Sequence, residues 1–420
     1  MPVTLRPPGD KSITHRALMM AALADGPSRI RGALTSLDAR SMARVLRQLG
    51  PAVSALRPDR DVTVKGRGLR GWRAPASVLN CGNSGTTARF LLGALASFAF
   101  RAVITGDASL RRRPMRRVTR PLTTMGARFE EGHGDGLPIV VRGGPLTELD
   151  YDLPVAAAQV KTALLLAGLT GRVAVRLHEP GRSRDHTERM LRGLAVPLVV
   201  SGGRIALAPV DRLRPFELDV PGDISSAAFL IGAALLDVGD GVLLKGVGVN
   251  PTRTGALRVL ERMGARFDIR SRGEPLGEPV ADIAALPSPL AACRVAAEEV
   301  PSLIDEVPML AVLASRAAGE SVFQGVHELR VKESDRLALI AENLRAVGVE
   351  AEASDATLTV IGTDRPPRGR VNTAGDHRLT MAFAVLGALP GARVRLSETA
   401  SAAVSYPTFF ADLRELSRGG

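Results

Sequence analysis

Cysteine is nearly absent: Cys81 and Cys293 are the only two, with no CxxC pair and no histidine cluster. That excludes a disulfide framework and a structural zinc site. Aromatic residues make up 3% of the chain, too few for the stacking platforms that hold single-stranded nucleic acid. No window approaches the roughly 20 apolar residues of a membrane span, and residues 1–10 (MPVTLRPPGD) carry no apolar signal segment. A cytoplasmic protein with no membrane partner is expected. Lysine is scarce too: of 55 Lys and Arg residues only Lys11, Lys65, Lys161, Lys245 and Lys332 are lysine. In a chain so biased to arginine, a retained lysine points to an ammonium able to transfer a proton, which guanidinium does poorly.

What is present describes an ordinary globular chain of 420 residues, 45% hydrophobic and 23% charged, long enough for two or three domains. The formal net charge is +12. The basic residues are spread along the chain, with RRRPMRR (Arg111 to Arg117) the only dense cluster. With so few aromatics, the surplus reads as a field that draws small anions rather than as a nucleic-acid surface.

One type of segment recurs, a polar or Gly-rich start followed by a small-residue apolar helix. It appears as GDKSITHRALMMAALADG from Gly9, GNSGTTARFLLGALASF from Gly82 and AAAQVKTALLLAGLTG from Ala156. It returns as GDISSAAFLIGAALLDVG from Gly222, PSLIDEVPMLAVLASRAAG from Pro301 and GDHRLTMAFAVLGALPG from Gly375. After each comes an amphipathic helix such as SMARVLRQLG or ALRVLERMGARF, apolar at i, i+3, i+4 and i+7. Short alternating runs such as DVTVKG, LPIVVRG, RIALAP and ATLTVIG lie between and read as half-buried strands. The unit is therefore helix, strand, helix, strand, strand, six times over.

A helix apolar on nearly all sides belongs inside its domain, which inverts the usual barrel with strands within. Six units exceed one core, so an α/β protein of two domains with three units each is expected. The expected boundaries are 11–221 for one lobe and 1–10 with 222–420 for the other. PVTLRP at the N-terminus is then a strand that completes the C-terminal half, and the chain crosses near 8–11 and 220–223.

The first repeat raises a specific question. Lys11, Ser12, His15 and Arg16 crowd the start of an apolar helix, where basic side chains oppose the macrodipole. Either a bound anion is held by free N–H groups, a hydroxyl and two cations, or the start is solvated and capped by Ser12.

The motifs GDKSITHR, GNSGTTAR, GDASLRRRPM, AQVKTALLLAGL, SRDHTERML, PGDISSAAF, VNPTRTG, SLIDEVPMLAV, ELRVKESDRL and DHRLTMAF together resemble the 5-enolpyruvylshikimate-3-phosphate synthases, members of the enolpyruvyl transferase family. The resemblance covers nearly the whole chain. It implies the two-domain inverted α/β barrel and transfer of enolpyruvyl from phosphoenolpyruvate to the 5-hydroxyl of shikimate 3-phosphate, with release of phosphate. No metal or organic cofactor is implied, the partners are the two small substrates, and a monomer is expected. The chemistry needs protonation at the phosphoenolpyruvate methylene, attack of an alcohol on C2, and loss of phosphate from a tetrahedral intermediate. It calls for cations to hold a carboxylate and two phosphates, and for an acid–base pair.

By the resemblance, Lys11, Ser12 and Arg16 bind shikimate 3-phosphate, and Lys11 also touches phosphoenolpyruvate and protonates the departing phosphate. Ala157, Ala158, Gln159 and Arg184 match further shikimate-phosphate contacts. Asn83, Gly85 and Thr86 match the phosphoenolpyruvate loop, joined by Gln159 and by Arg113, Arg336 and Arg378. Asp305 matches the residue that binds the substrate hydroxyls and acts as base, Glu333 the proton shuttle at the methylene carbon, and Lys332 a shikimate-phosphate contact. Lys332 and Arg336, at i and i+4, would share one helical face. His377 would support Arg378, and Glu306 is read as structural.

The pattern departs from the family in two places. Ala157 stands where members commonly carry a serine that contacts the shikimate phosphate; backbone N–H groups, Lys161 and Arg184 are the available compensation. Val404 stands where some members carry a lysine. Gly85 leaves open space where glyphosate-tolerant members carry Ala. Two alternatives stay within the fold: a transferase acting on a modified shikimate, which Ala157 motivates, and one acting on UDP-N-acetylglucosamine. The latter usually has a reactive cysteine where this chain has the arginines around Arg113.

Overall fold

The computed structural model describes residues 2–418 except 59 and 133. The six apolar segments form the helices Lys11–Leu23, Gly85–Leu95, Ala158–Gly171, Ile224–Leu235, Val307–Ala314 and His377–Gly387. Each is buried over most or all of its circumference. Full burial of one large aliphatic side chain is worth about 1.5–3 kcal/mol, so a helix apolar on every side gains most when sheets and other helices surround it. The Leu37–Gln48 helix is different in kind. It is capped by Ser36, buries Ala39, Met42, Ala43, Val45 and Leu46, and leaves its arginines outward.

The chain divides into two compact units. The N-terminal unit comprises residues 9–220 with 274–278; the C-terminal unit comprises 1–8, 221–273 and 279–420. The five residues 274–278 thus group with the N-terminal unit, although the sequence assigns their whole neighbourhood to the other lobe. The physical reason is local: His186 Nδ1 lies 2.9 Å from Glu278 Oε1, both buried, and Arg189 donates to the Gly277 carbonyl.

In both units a helix is followed by strand, helix, strand, strand. In the first repeat Pro27–Arg31 pairs antiparallel with Val62–Lys65, which pairs antiparallel with Ala52–Val53. A fourth strand comes from far along the chain: Glu217–Asp219 lies parallel to Pro27–Arg31, Glu217 opposite Arg29. Val3–Leu5 plays the same part in the C-terminal unit, parallel to Val242–Gly248 with Val3 opposite Val242. The sixth repeat is short: Arg368–Val371 pairs only with Arg393–Leu396, and the Phe409–Arg418 helix follows. Among the described residues no helix is long and apolar enough to cross a membrane.

Candidate active site

In the N-terminal unit the site residues gather at the starts of the three buried helices. Asp10, and not Ser12, caps the first one, accepting the Ile13 N–H at 2.8 Å. Lys11 is paired with Asp38 on the neighbouring helix. Burial raises the Asp38 carboxyl, but Lys11, His15 and Arg113 outweigh it, so the group sits below its ordinary value and stays ionised. One buried carboxylate thus senses both Lys11 and Arg113.

His15 is fully buried, and that burial, with Lys11 adding to it, lowers its pKa to about 4. The neutral ring donates from Nδ1 to the Lys11 carbonyl at 2.7 Å, which leaves Nε2 to accept from the Ser84 hydroxyl at 3.3 Å. Ser84 in turn caps the Gly85–Leu95 helix and accepts from Thr87. The first repeat's lysine is thereby tied to the second repeat's glycine loop through one imidazole.

Gly85 is the centre of the second cluster. A Cβ built there would lie 2.8 Å from Arg89 Nη1 and 3.3 Å from Arg113 Nη1. The space the sequence suggested is therefore occupied by two guanidinium groups. Arg113 donates to Asn83 Oδ1 at 2.6 Å, and Asn83 donates to Asp107 at 2.7 Å. Arg89 donates to Gln159 Oε1 at 2.7 Å, and Gln159 donates to Thr86 at 2.8 Å. Gln159 reaches that loop because the helices Gly85–Leu95 and Ala158–Gly171 touch backbone to backbone: a Cβ on Gly93 would fall 2.0 Å from the Ala163 carbonyl. Burial, with Arg113 and Arg117 nearby, lowers Arg89 to about 10, still charged at neutral pH. Arg89 lies inside GNSGTTAR with no role from the sequence alone; its position four residues after Gly85, one turn on, is the signal that places it there.

The Ala158–Gly171 helix begins at Ala157 with no side-chain cap. Its first N–H groups point at whatever lies beyond, the usual arrangement for an anion. Two basic residues expected near the shikimate phosphate, Lys161 and Arg16, are engaged in the interior. Lys161 does not compensate for Ala157, since its side chain is 1% exposed and lies 2.7 Å from Glu179 and 2.6 Å from Glu188. Arg16 is 3% exposed and donates to Thr187, Thr162 and the Ser12 carbonyl over the face of Phe90. Both are held inside because the helix start is polar while its flanks are core. Arg184 is half-buried on the loop that Glu179 and Ser183 tie down with a 2.5 Å hydrogen bond.

In the C-terminal unit the expected residues also converge. Arg336 is 1% exposed and surrounded by acids: Asp376 at 2.7 Å, Glu333 at 2.6 Å and Asp305 at 3.7 Å. Arg378 donates to the Asp305 carbonyl at 2.9 Å. The shared helical face of Lys332 and Arg336 is not formed. The helix starts at Arg336, capped by Asp335, and Lys332 lies before it, half-buried. A cap at Asp335 fixes the helix start, because its carboxylate accepts the Ala338 N–H. His377 hydrogen-bonds Ser405 rather than supporting Arg378; burial, with Arg378 and Arg336 alongside, lowers it to about 3. Glu306 is buried and accepts from Ser225. Cys81 is buried, which pushes its thiol up to about 12 and makes it inert.

With the geometry in view, the comparisons with known proteins are direct. A family model described as EPSP synthase (3-phosphoshikimate 1-carboxyvinyltransferase) matches residues 2–413. A 3-phosphoshikimate 1-carboxyvinyltransferase of Alkalilimnicola ehrlichii is 47% identical over 406 residues, 96% of this chain and 91% of that protein. One of Thermus thermophilus is 49% identical over 414 residues, 98% and 96% of the two chains. A solved EPSP synthase of Acinetobacter baumannii superposes with a TM-score of 0.90 at 38% identity, covering 99% and 95%. The enolpyruvyl transferase NikO of Streptomyces tendae shares the fold, with a TM-score of 0.78 at 21% identity over 99% and 94%.

Proposed function

Because the chain belongs to the EPSP synthase family, we infer that it transfers the enolpyruvyl group of phosphoenolpyruvate to the 5-hydroxyl of shikimate 3-phosphate and releases phosphate. It is a transferase of the shikimate pathway, which leads to the aromatic amino acids. The observation that carries the site assignment is the flanking of Gly85 by Arg89 and Arg113, with Asn83 bonded to Arg113, Gln159 to Arg89, and Thr86 to Gln159. Two guanidinium groups beside a helix start suit a phosphate with an adjacent carboxylate.

In this reading Lys11, Asn83, Gly85, Thr86, Arg113, Gln159, Arg336 and Arg378 bind phosphoenolpyruvate. Lys11, Ser12, Arg16, Ala157, Ala158, Gln159, Arg184, Asp305 and Lys332 bind shikimate 3-phosphate. For Arg16 the buried hydrogen bonds require that it acts through its field or by rearranging. Glu333, exposed and paired with Arg336, carries the proton at the methylene carbon. Asp305 takes the proton of the attacking hydroxyl, and Lys11 gives one to the departing phosphate. Arginine charges near the reacting carbon stabilise the anionic tetrahedral intermediate. We expect the protein to act as a monomer in the cytoplasm, which sedimentation and cell fractionation test.

The test of the reaction is phosphate release from phosphoenolpyruvate with shikimate 3-phosphate, run beside shikimate and UDP-N-acetylglucosamine. Release with shikimate 3-phosphate alone is expected. Release only with shikimate would select the modified-substrate alternative, which Ala157 still motivates.

A further inference from the structure

Of the three acids around Arg336, Asp376 alone has a fully buried side chain, 0% exposed, and no role so far attaches to it. Its two oxygens do different things. Oδ1 accepts the backbone N–H of Arg378 at 2.9 Å and so caps the His377–Gly387 helix. Oδ2 accepts the Arg336 Nε–H at 2.7 Å and the Ser334 hydroxyl at 3.0 Å. One carboxylate therefore fixes Arg336 and Arg378, two of the three arginines expected to hold phosphoenolpyruvate, one by its side chain and the other by its place on the helix.

The three acids around Arg336 are not equivalent. Glu333 is 40% exposed and Asp305 14% exposed, whereas Asp376 is enclosed. Asp376 grips the Nε side of the guanidinium and leaves Nη1 and Nη2 facing Asp305 and Glu333. When an incoming carboxylate displaces Glu333, the two Nη groups form the fork that a carboxylate meets bidentately. The fork has to be pre-aimed, because an arginine side chain otherwise loses its rotamer freedom on binding. We propose that Asp376 is a positioning residue for phosphoenolpyruvate binding, acting through Arg336 and through the start of the helix that carries Arg378. The inference rests on the functional reading above.

Asp376→Asn separates positioning from capping. Asparagine caps a helix as well as aspartate does, so Oδ1 still serves Arg378, but an Nδ2 donor would now face the Arg336 Nε–H and the Ser334 hydroxyl. The expected result is a KM for phosphoenolpyruvate at least ten-fold higher, with the KM for shikimate 3-phosphate and kcat within three-fold. An unchanged KM for phosphoenolpyruvate, or an equal loss for both substrates, overturns the proposal. A second measurement needs no turnover. In the ligand-free wild-type protein the Arg336 Nε–H, identified by its absence from Arg336→Lys, should give an arginine 15N–1H signal that persists at pH 9. Fast exchange there overturns the proposal even if Asp376→Asn does not fold. A wild type inactive with phosphoenolpyruvate would instead refute the functional reading and leave the protected signal to decide the positioning.

Discussion

Lys161→Met is the sharpest test of the electrostatics of the N-terminal unit. The sequence put this lysine beside the shikimate phosphate; the fold puts it in the interior, 2.7 Å from Glu179 and 2.6 Å from Glu188, with side-chain exposures of 1%, 6% and 2%. Methionine fills much of the same volume without the charge and leaves two carboxylates buried together. Breaking a buried pair in this way typically costs 3–5 kcal/mol. At roughly 2–4 °C per kcal/mol for a domain of 150–250 residues, the melting temperature should fall by about 6–20 °C. The effect has a pH signature. Burial already raises the Glu188 carboxyl despite Lys161, and removing the ammonium raises it further. Groups whose folded pKa lies above the unfolded one contribute stability at low pH and lose it as pH rises. The deficit of Lys161→Met should therefore be larger at pH 8 than at pH 5, and Glu188→Gln in the same chain should recover part of it. Calorimetry of the ligand-free protein reads the melting temperature, and initial rates read the KM for shikimate 3-phosphate, which should stay within two-fold. A melting temperature within about 2 °C of wild type, with that KM raised ten-fold, would refute the buried triad and return Lys161 to the substrate.

His15, lowered to about 4 by burial, stays neutral while an unfolded histidine takes up a proton below pH 6.5. Stability should fall by on the order of 3 kcal/mol as pH drops from 6.5 to 4. His15→Asn should flatten that slope in urea unfolding, and parallel curves for the two proteins would contradict the neutral ring. Glu333→Gln removes the proton carrier and the competitor for Arg336 together, so kcat should fall about 10²- to 10⁴-fold with the KM for phosphoenolpyruvate no higher. A rise in that KM with kcat intact would remove Glu333 from the proton path. Gly85→Ala places a Cβ 2.8 Å from Arg89 Nη1; the guanidinium group can swing aside, so the KM for phosphoenolpyruvate should rise about ten-fold, worth about 1.4 kcal/mol. An unchanged KM would show that neither arginine contacts the ligand from its present position.

Repeat number, helix type and the placement of the apolar helices inside were legible in the residues, because a helix such as ISSAAFLIGAAL has no face that water can hold. The N-terminal strand's service to the C-terminal half was legible too, since PVTLRP is a strand with no unit of its own; that it joins Val242–Gly248 of the fourth repeat, leaving the sixth repeat's sheet at two strands, was not. The motifs named the family, and with it the reaction. What the linear order could not reveal was the pairing of charges across repeats. Lys161 reads as a ligand cation until the fold brings Glu179 and Glu188 within 3 Å. Lys332 and Arg336 read as one helical face until Asp335 caps the helix between them. Asp376 carries no reading of its own in the linear order until Arg336, 40 residues away in sequence, arrives on one of its oxygens. Hydrophobic burial follows a local period and so can be read along the chain. An ion pair forms wherever two distant segments meet, which only the folded chain determines.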